Sequence, residues 1–371
     1  MTLVSRRKVL QFGLAVGAMA VMPRFAFAAA QPDRVYAPAA SDWRAFNLST
    51  TVTPPDTAGA TSVWLPVPSV DTAWQRTLDT NWTGNAAQAE FVTDPTSGAT
   101  MLHARFDAGQ TDRMVVLTTR VETRNRTIDW SKKSDVREDP AVLEAALKGS
   151  SLAPIDGVVG DIAAKATAGA NTDVEKVQAI YNWIVASCYR NLDTPGCGSG
   201  DLTALLANAA PGGKCADLNG LFVAMARASG VPARDVYGVR VAPSAFGYKQ
   251  LGANTADVTG AQHCRAEAWL EGYGWVAMDP ADVLKVMRAE TKEWIRDRRD
   301  PLVAPVDAAL FGNWEGNWVA FNSARDVALP GAASAASVPF LMYPQGMADA
   351  SQRFDELDAK AFSYKITAAE A

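Results

Sequence analysis

From about Trp43 to Trp130 apolar and polar residues alternate with the two-residue period of strands that bury one face. The runs are Phe46, Leu48, Thr50, Val52; then Val63, Leu65, Val67; then Leu102, Ala104, Phe106; then Val115, Leu117, Thr119, Val121. Pro54-Pro55-Asp56 and Asp94-Pro95-Thr96-Ser97-Gly98 break the runs as turns between antiparallel strands do. This predicts a β-sandwich over residues 41–135. After residue 130 the chain turns charged and Ala-rich, and the apolar period lengthens to that of a helix. Thr172-Asp173-Val174-Glu175 has the capping-box form, and Val174, Val177, Tyr181, Ile184, Val185 and Cys188 follow on one face, predicting a helix to about Ser187. Asp201 can cap a short helix through Leu202, Leu205 and Leu206. The turn Gly212-Gly213 leads into a second helix that opens at Cys215, carries Leu218, Phe222, Met225 and Ala226, and stops at Gly230 with Pro232 beyond.

Further along, Gln262 to Leu270 and Trp275 to Pro280 read as two strands of a hairpin around Glu271-Gly272-Tyr273-Gly274. With the tip at residues 271–272, paired positions sum to 542–543, which sets His263 beside Asp279 across the strands. A charged helical stretch is expected from Val286 to Arg299, and Phe362 to Thr367 alternates like a last strand. Residues 150–290 thus form an α+β core, with 291–371 as an extension packed on it, adding a strand to a sheet.

Composition narrows the picture. The chain has 371 residues, 48% hydrophobic and 20% charged, the balance of a globular protein with room for more than one domain. No apolar run reaches the roughly 18–20 residues that a membrane span needs. Near the N-terminus, Arg6 and Arg7 precede an apolar stretch from Phe12 to Met22 and then Ala26-Phe27-Ala28, an arrangement that resembles a twin-arginine export signal cleaved near Ala28. Val9 stands where that signal usually has an aromatic, and Gln11 where Lys is common. Losing residues 1–28, with four basic and no acidic side chains, takes the net charge from −5 to −9. So acidic a chain, without a basic cluster, is unsuited to nucleic acid or anionic membranes. The expected location is periplasmic or extracellular.

With only 2 His in the chain, any imidazole chemistry uses His103 or His263. His103 lies among the strands, near no nucleophile, and reads as structural or solvated. Cys215, by contrast, opens a helix, where free amides and the helix dipole favour a thiolate. An aspartate beside His263 would fix its tautomer and stabilise the imidazolium, leaving the other ring nitrogen for the thiol. Cys215, His263 and Asp279 therefore fill the roles of nucleophile, general base and acid, and orienting carboxylate.

These residues carry a family resemblance. Gly212-Gly213-Lys214-Cys215 opening a helix that ends in Ser229-Gly230-Val231-Pro232-Ala233-Arg234, then His263 on one strand and Asp279-Pro280 at the next, resembles the transglutaminase-like superfamily, over about residues 170–285. Exported bacterial members are similar also in the flanks, Pro195 to Asp201 and Trp314 to Trp318. The resemblance implies a papain-like core, with the cysteine helix packed on an antiparallel sheet bearing His and Asp. It implies acyl transfer or hydrolysis at an amide bond of a peptide or protein through a thioester, without a cofactor. It names no substrate, and a binding module that keeps the fold without turnover is the competing reading.

Several residues are left with two readings. Tyr189 is either a second oxyanion donor beside the Cys215 backbone amide or a packing aromatic. Trp314 and Trp318 either wall a substrate cleft or fill a core. Asp217 suits the first turn of its helix, and Arg265 and Glu267 read as a cross-strand pair. Cys188, Cys197 and Cys264 leave their pairing open, and nothing in the spacing of Cys and His suggests a metal. The oligomeric state is not legible.

Overall fold

The computed structural model describes residues 34–332 and 337–371; the segment read as an export signal lies outside the described residues. Four strands follow the alternating runs, β1 (Arg44–Thr53), β2 (Thr61–Pro66), β5 (Thr100–Phe106) and β6 (Val115–Thr123), and two that alternation did not mark, the largely exposed β3 (Gln75–Gly84) and β4 (Gln88–Thr93), lie between β2 and β5 in the chain. The inward residues Val52, Val63, Leu65, Leu102, Ala104, Phe106, Val115 and Leu117 are buried together between two antiparallel sheets. Each large apolar side chain taken out of water there contributes about 1.5–3 kcal/mol.

The core sheet is formed by β7 (Ala233–Arg240), β8 (Gln262–Leu270), β9 (Gly274–Met278) and β10 (Trp318–Asn322), in the order β9-β8-β7-β10, with Phe311–Gly312 outside β9. The last strands, β11 (Gln345–Ala348) and β12 (Ser363–Glu370), return to the sandwich, β11 beside β2 and β12 beside β1. The segment 291–371 is therefore shared between the two halves, and the strand read at Phe362 to Thr367 is β12. Gln75 of β3 binds the backbone of Ala320 in β10 on both sides, at 2.8 and 2.7 Å, and Thr123 donates to Gly316 O at 2.6 Å, so the halves are tied through β10.

Helix α3 (Cys215–Ala228) packs on the core sheet, and α1 (Gly157–Ala166), α2 (Asp173–Ser187) and α4 (Pro280–Ala289) pack around it. The α2 capping box forms, with Thr172 accepting from Glu175 N and Glu175 accepting from Thr172 N. Every residue of α3 from Cys215 to Ala226 is buried, because β7 and β8 cover one side and α1, α2 and α4 the others. The single apolar face read from the sequence is thus only part of what it buries. Helix α4 ends at Ala289, well short of Arg299; beyond it the chain folds back, Ile295 N bonding Met287 O at 2.8 Å. Among the described residues no helix is long and apolar enough to cross a membrane.

Candidate active site

Cys215 is the first residue of α3, and the backbone ahead of it is held by the side chain of Asp217. One carboxylate oxygen of Asp217 accepts from Lys214 N at 2.9 Å and the other from Gly200 N at 2.9 Å, joining the loop 195–201 to the helix start. Gly198 passes so close, at φ +98°, that a Cβ there would lie 1.9 Å from the Asp217 carboxylate. The sequence of this loop is thereby explained: only glycine takes both that backbone conformation and that approach.

His263 and Asp279 meet as expected, but by a different register. Pairs of β8 and β9 sum to 544, as in Ala266 with Met278 and Leu270 with Gly274, because three residues rather than two make the turn. Asp279 lies just past β9 and caps α4. Its Oδ2 is 2.7 Å from His263 Nε2, while Oδ1 accepts from Asn219 Nδ2 at 2.9 Å and from Asp282 N at 3.1 Å. With Nε2 engaged, Nδ1 is the ring nitrogen left for the thiol. Asn219 stands four residues after Cys215, hence on the same face of α3, and also donates to Cys264 O at 2.8 Å while accepting from Ala281 N at 3.1 Å. It locks the cysteine helix to both the histidine strand and the aspartate turn.

Charge is balanced around this group. Arg240 grips Asp282 with both carboxylate oxygens at 2.7 Å, and Arg265 Nε is 3.6 Å from Asp279 Oδ2. Burial opposes ionisation of Asp282, but Arg240, His263 and Lys285 outweigh it and hold the carboxyl well below its usual range. The same contest decides Cys215, which is 1% exposed. Burial raises its pKa, yet the close thiols of Cys197 and Cys264, whose own hydrogens point to Gln262 O at 3.4 Å and Met342 Sδ at 3.8 Å, and the adjacent His263 imidazole hold it well below the ordinary thiol value. The sulfurs of Cys197, Cys215 and Cys264 all lie within 4.8 Å of one another. Cys197, its sulfur beside that of Cys215, is pushed up to about 12, and burial drives Cys264 well above the thiol range, so one anion is held among neutral thiols. All four cysteines are free.

A metal could find two sets of donors here, the three thiols and His263 with Asp279 and Asp282. In the second set the carboxylates are already met by Arg240, Asn219 and a helix amide.

The other expected residues are placed as follows. Trp314 and Trp318 are each 1% exposed and pack on Trp74, so they do not wall a cleft. Between them they sandwich the Arg265 guanidinium, 5.1 and 4.6 Å from the rings, and Trp318 Nε1 donates to His263 O at 3.0 Å. They act on the site from behind, fixing the strand and the arginine that face Asp279. Tyr189 sits on a two-residue strand paired with Gly212–Gly213; its ring lies over Gly212 and 5.6 Å from Trp294. Arg265 and Glu267 do not pair with each other: Glu267 binds Arg126 and Arg234. Alternation along β8 gave them one side, but buried partners from outside the hairpin took each. His103 is buried, not solvated, stacked on Trp64 at 5.0 Å with its Nε2 unpartnered.

Sequence reasoning missed Asn219, Asp282, Arg240 and the thiol pair Cys197 and Cys264. The spacing from Cys215 to Asn219 and from Asp279 to Asp282 carried a signal for two of them. Arg240 and the two thiols are joined to the site only by tertiary packing.

Comparison with known proteins finds relatives of sequence and fold. The transglutaminase-like superfamily model matches residues 160–280. An uncharacterized protein of Haemophilus influenzae is 33% identical over 328 residues, covering 84% of this chain and 87% of the relative. A solved candidate cysteine protease of Cytophaga hutchinsonii has a similar fold, with a TM-score of 0.50 at 18% identity over 89% of this chain and 99% of that one. The periplasmic domain of TgpA from Pseudomonas aeruginosa matches with a TM-score of 0.34 at 17% identity, over 72% of this chain and 93% of that one.

Proposed function

The chain belongs to the transglutaminase-like superfamily, and from that premise we propose that it is a cysteine enzyme acting at an amide bond of a peptide or protein. Cys215 is the nucleophile, His263 the general base and acid, and Asp279 the orienting carboxylate. The observation that carries this reading is the buried bond of 2.7 Å from Asp279 to His263 Nε2, which leaves Nδ1 to serve a thiol already held low. The Cys215 thiolate adds to the amide carbon, and the carbonyl oxygen takes the negative charge, met by the backbone N–H of Cys215 at the helix start. As the C–N bond breaks, protonated His263 gives its Nδ1 proton to the departing amine, and a thioester remains. His263 then takes a proton from water or from an acceptor amine as it attacks the thioester, and the thiolate leaves. Hydrolysis and transamidation differ only in that acceptor.

The way in is a cavity of about 750 Å³ lined by Cys197, Lys214 and Gln262, sequence or packing neighbours of the nucleophile and the histidine. With residues 1–28 read as a twin-arginine signal, the substrate belongs to the cell envelope. The test is mass spectrometry of the protein after brief exposure to a peptide-like thiol electrophile, for wild type and His263→Ala. Selective labelling of Cys215 that depends on His263 is expected. Labelling that ignores His263, or falls on Cys188, Cys197 or Cys264, removes the enzyme reading in favour of a binding module.

A further inference from the structure

The cavity next to Cys215 has an uneven charge. Arg190, Lys214, Lys249 and Lys285 all line it, and among the described residues none of them is ion-paired. Arg190 Nε and Nη1 are buried without a hydrogen-bond partner, and so is Gln262 Nε2, one residue before His263. An unpartnered guanidinium and amide in a cavity wall cost free energy that a ligand with acceptor oxygens would recover. The acidic residues on the same wall are already engaged: Asp257 faces Lys365 at 3.7 Å, and Glu356 faces Arg353 at 3.5 Å. Arg240, a further cation on this wall, is bound to Asp282. Half-buried Lys285 stands close to Arg240 and Arg190; burial first, then those two charges, push its ammonium down to about 8, despite Asp282. An anion placed among these groups would relieve that strain.

We propose that this cavity is a carboxylate-binding subsite, in which Arg190 and Lys285, with Lys214, Lys249 and Gln262 Nε2, hold a carboxylate of the peptide whose amide bond Cys215 attacks. The subsite rests on the cysteine-enzyme reading only for that last clause. Arg190 offers the planar fork suited to a carboxylate, and Lys285 and Lys214 add point charges. The carboxylate is either the C-terminal group of a peptide or an acidic side chain; both present the same two oxygens.

Two measurements test the subsite. In the first, Cys215 is alkylated with iodoacetate and with iodoacetamide, reagents of one chemistry and different charge, and the ratio of their rate constants is taken. That ratio does not depend on the fraction of thiolate. It is expected to exceed the ratio for the urea-unfolded chain by about tenfold, and to fall about tenfold in Arg190→Met/Lys285→Met, while Arg190→Lys keeps most of it. An unchanged ratio in the double variant, with Cys215 still reacting, overturns the subsite and leaves the nucleophile standing. In the second, the thermal midpoint is followed with N-acetyl-Ala-Ala, N-acetyl-Glu-amide and the neutral N-acetyl-Ala-Ala-amide. A rise with either acid, absent with the amide and lost in the double variant, supports the subsite, and the acid that acts identifies the source of the carboxylate. No rise with either acid overturns it. Because this measurement does not need a reactive thiol, it decides the subsite even if Cys215 labels with neither reagent, an outcome that fails the enzyme reading alone.

Discussion

Replacing Asp279 by Asn tests the site at its most constrained atom. The residue is fully buried, and its two oxygens have separate tasks: Oδ1 accepts from Asn219 and from the amide of Asp282, while Oδ2 faces His263 Nε2. An amide turned to keep Oδ1 as acceptor retains the helix cap and the link to α3, so the fold should survive with a loss of about 1–2 kcal/mol. The new Nδ2 then donates toward His263 Nε2, which must become an acceptor. The ring proton moves to Nδ1, opposite the thiol, and the base can no longer take a proton there. The imidazolium also loses the nearer of its two carboxylates, Asp282 Oδ2 staying 3.4 Å from Nε2; for charges about 4 Å apart at an effective dielectric of 20 the lost attraction is at most about 4 kcal/mol, or up to about three powers of ten in the population of the thiolate–imidazolium pair. The assay is the pH dependence of iodoacetamide alkylation at Cys215. Wild type should react well below the pH range of an ordinary thiol; Asp279→Asn should react in that range, with a rate at pH 7 lower by two to three powers of ten. Asp279→Ala strands Asn219, Arg265 and His263 together and should cost about 3–5 kcal/mol of stability besides. An Asp279→Asn protein that folds and alkylates at the wild-type rate would refute the orienting role.

Other substitutions probe the neighbours. Cys264→Ala removes one of the thiols that crowd the Cys215 sulfur and help hold its pKa down, and should move the alkylation profile toward higher pH, without abolishing labelling. Trp318→Ala should lower stability by about 3–5 kcal/mol, as loss of a buried aromatic does, whereas a cleft-wall residue would leave the thermal midpoint in place. Lys285 is held below its unfolded value, so between about pH 8 and 10.5 the unfolded chain binds the extra proton and stability should rise with pH. Lys285→Met should flatten that slope and gain about 1–2 kcal/mol at pH 7, after allowance for the solvent that reaches the group. Asp282 has the opposite linkage: its folded pKa is depressed, so its contribution is complete above about pH 4 and is lost as pH falls below, and denaturation of Asp282→Asn should lack that acid limb.

The parts of the fold that were legible in the sequence are those dictated by local chemistry. Alternation marks a strand whose two faces meet different media, so β1, β2, β5 and β6 could be read; the Thr172 to Glu175 capping box and the Gly230 stop are decided within a few residues. Cys215, His263 and Asp279 were legible because two lie at element starts and the third in a hairpin. The register was missed by one to two positions because a three-residue turn and a two-residue turn carry the same glycine signal. Trp314 and Trp318 were ambiguous because their partners, Trp74 and Arg265, are distant in the sequence. The same holds for Glu267, whose carboxylate is claimed by Arg126 some 141 residues away.

The buried charges also explain why a single anion can sit at Cys215. Asp279 and Asp282 carry two negative charges, and Arg265 and Arg240 carry two positive ones against them, so the shell around the histidine is neutral before the thiol ionises. Transfer of the thiol proton to His263 then creates a contiguous pair and no net buried charge, which limits the desolvation cost of the thiolate. No such neutrality holds on the cavity side. There Arg190, Lys214, Lys249 and Lys285 exceed the engaged acids of a wall that also includes Cys197 and Gln262, neighbours of the nucleophile and the histidine. On the proposed reading the two halves divide the work: charges balanced within the fold set the reactivity of the thiol, and the positive cavity selects the peptide that meets it.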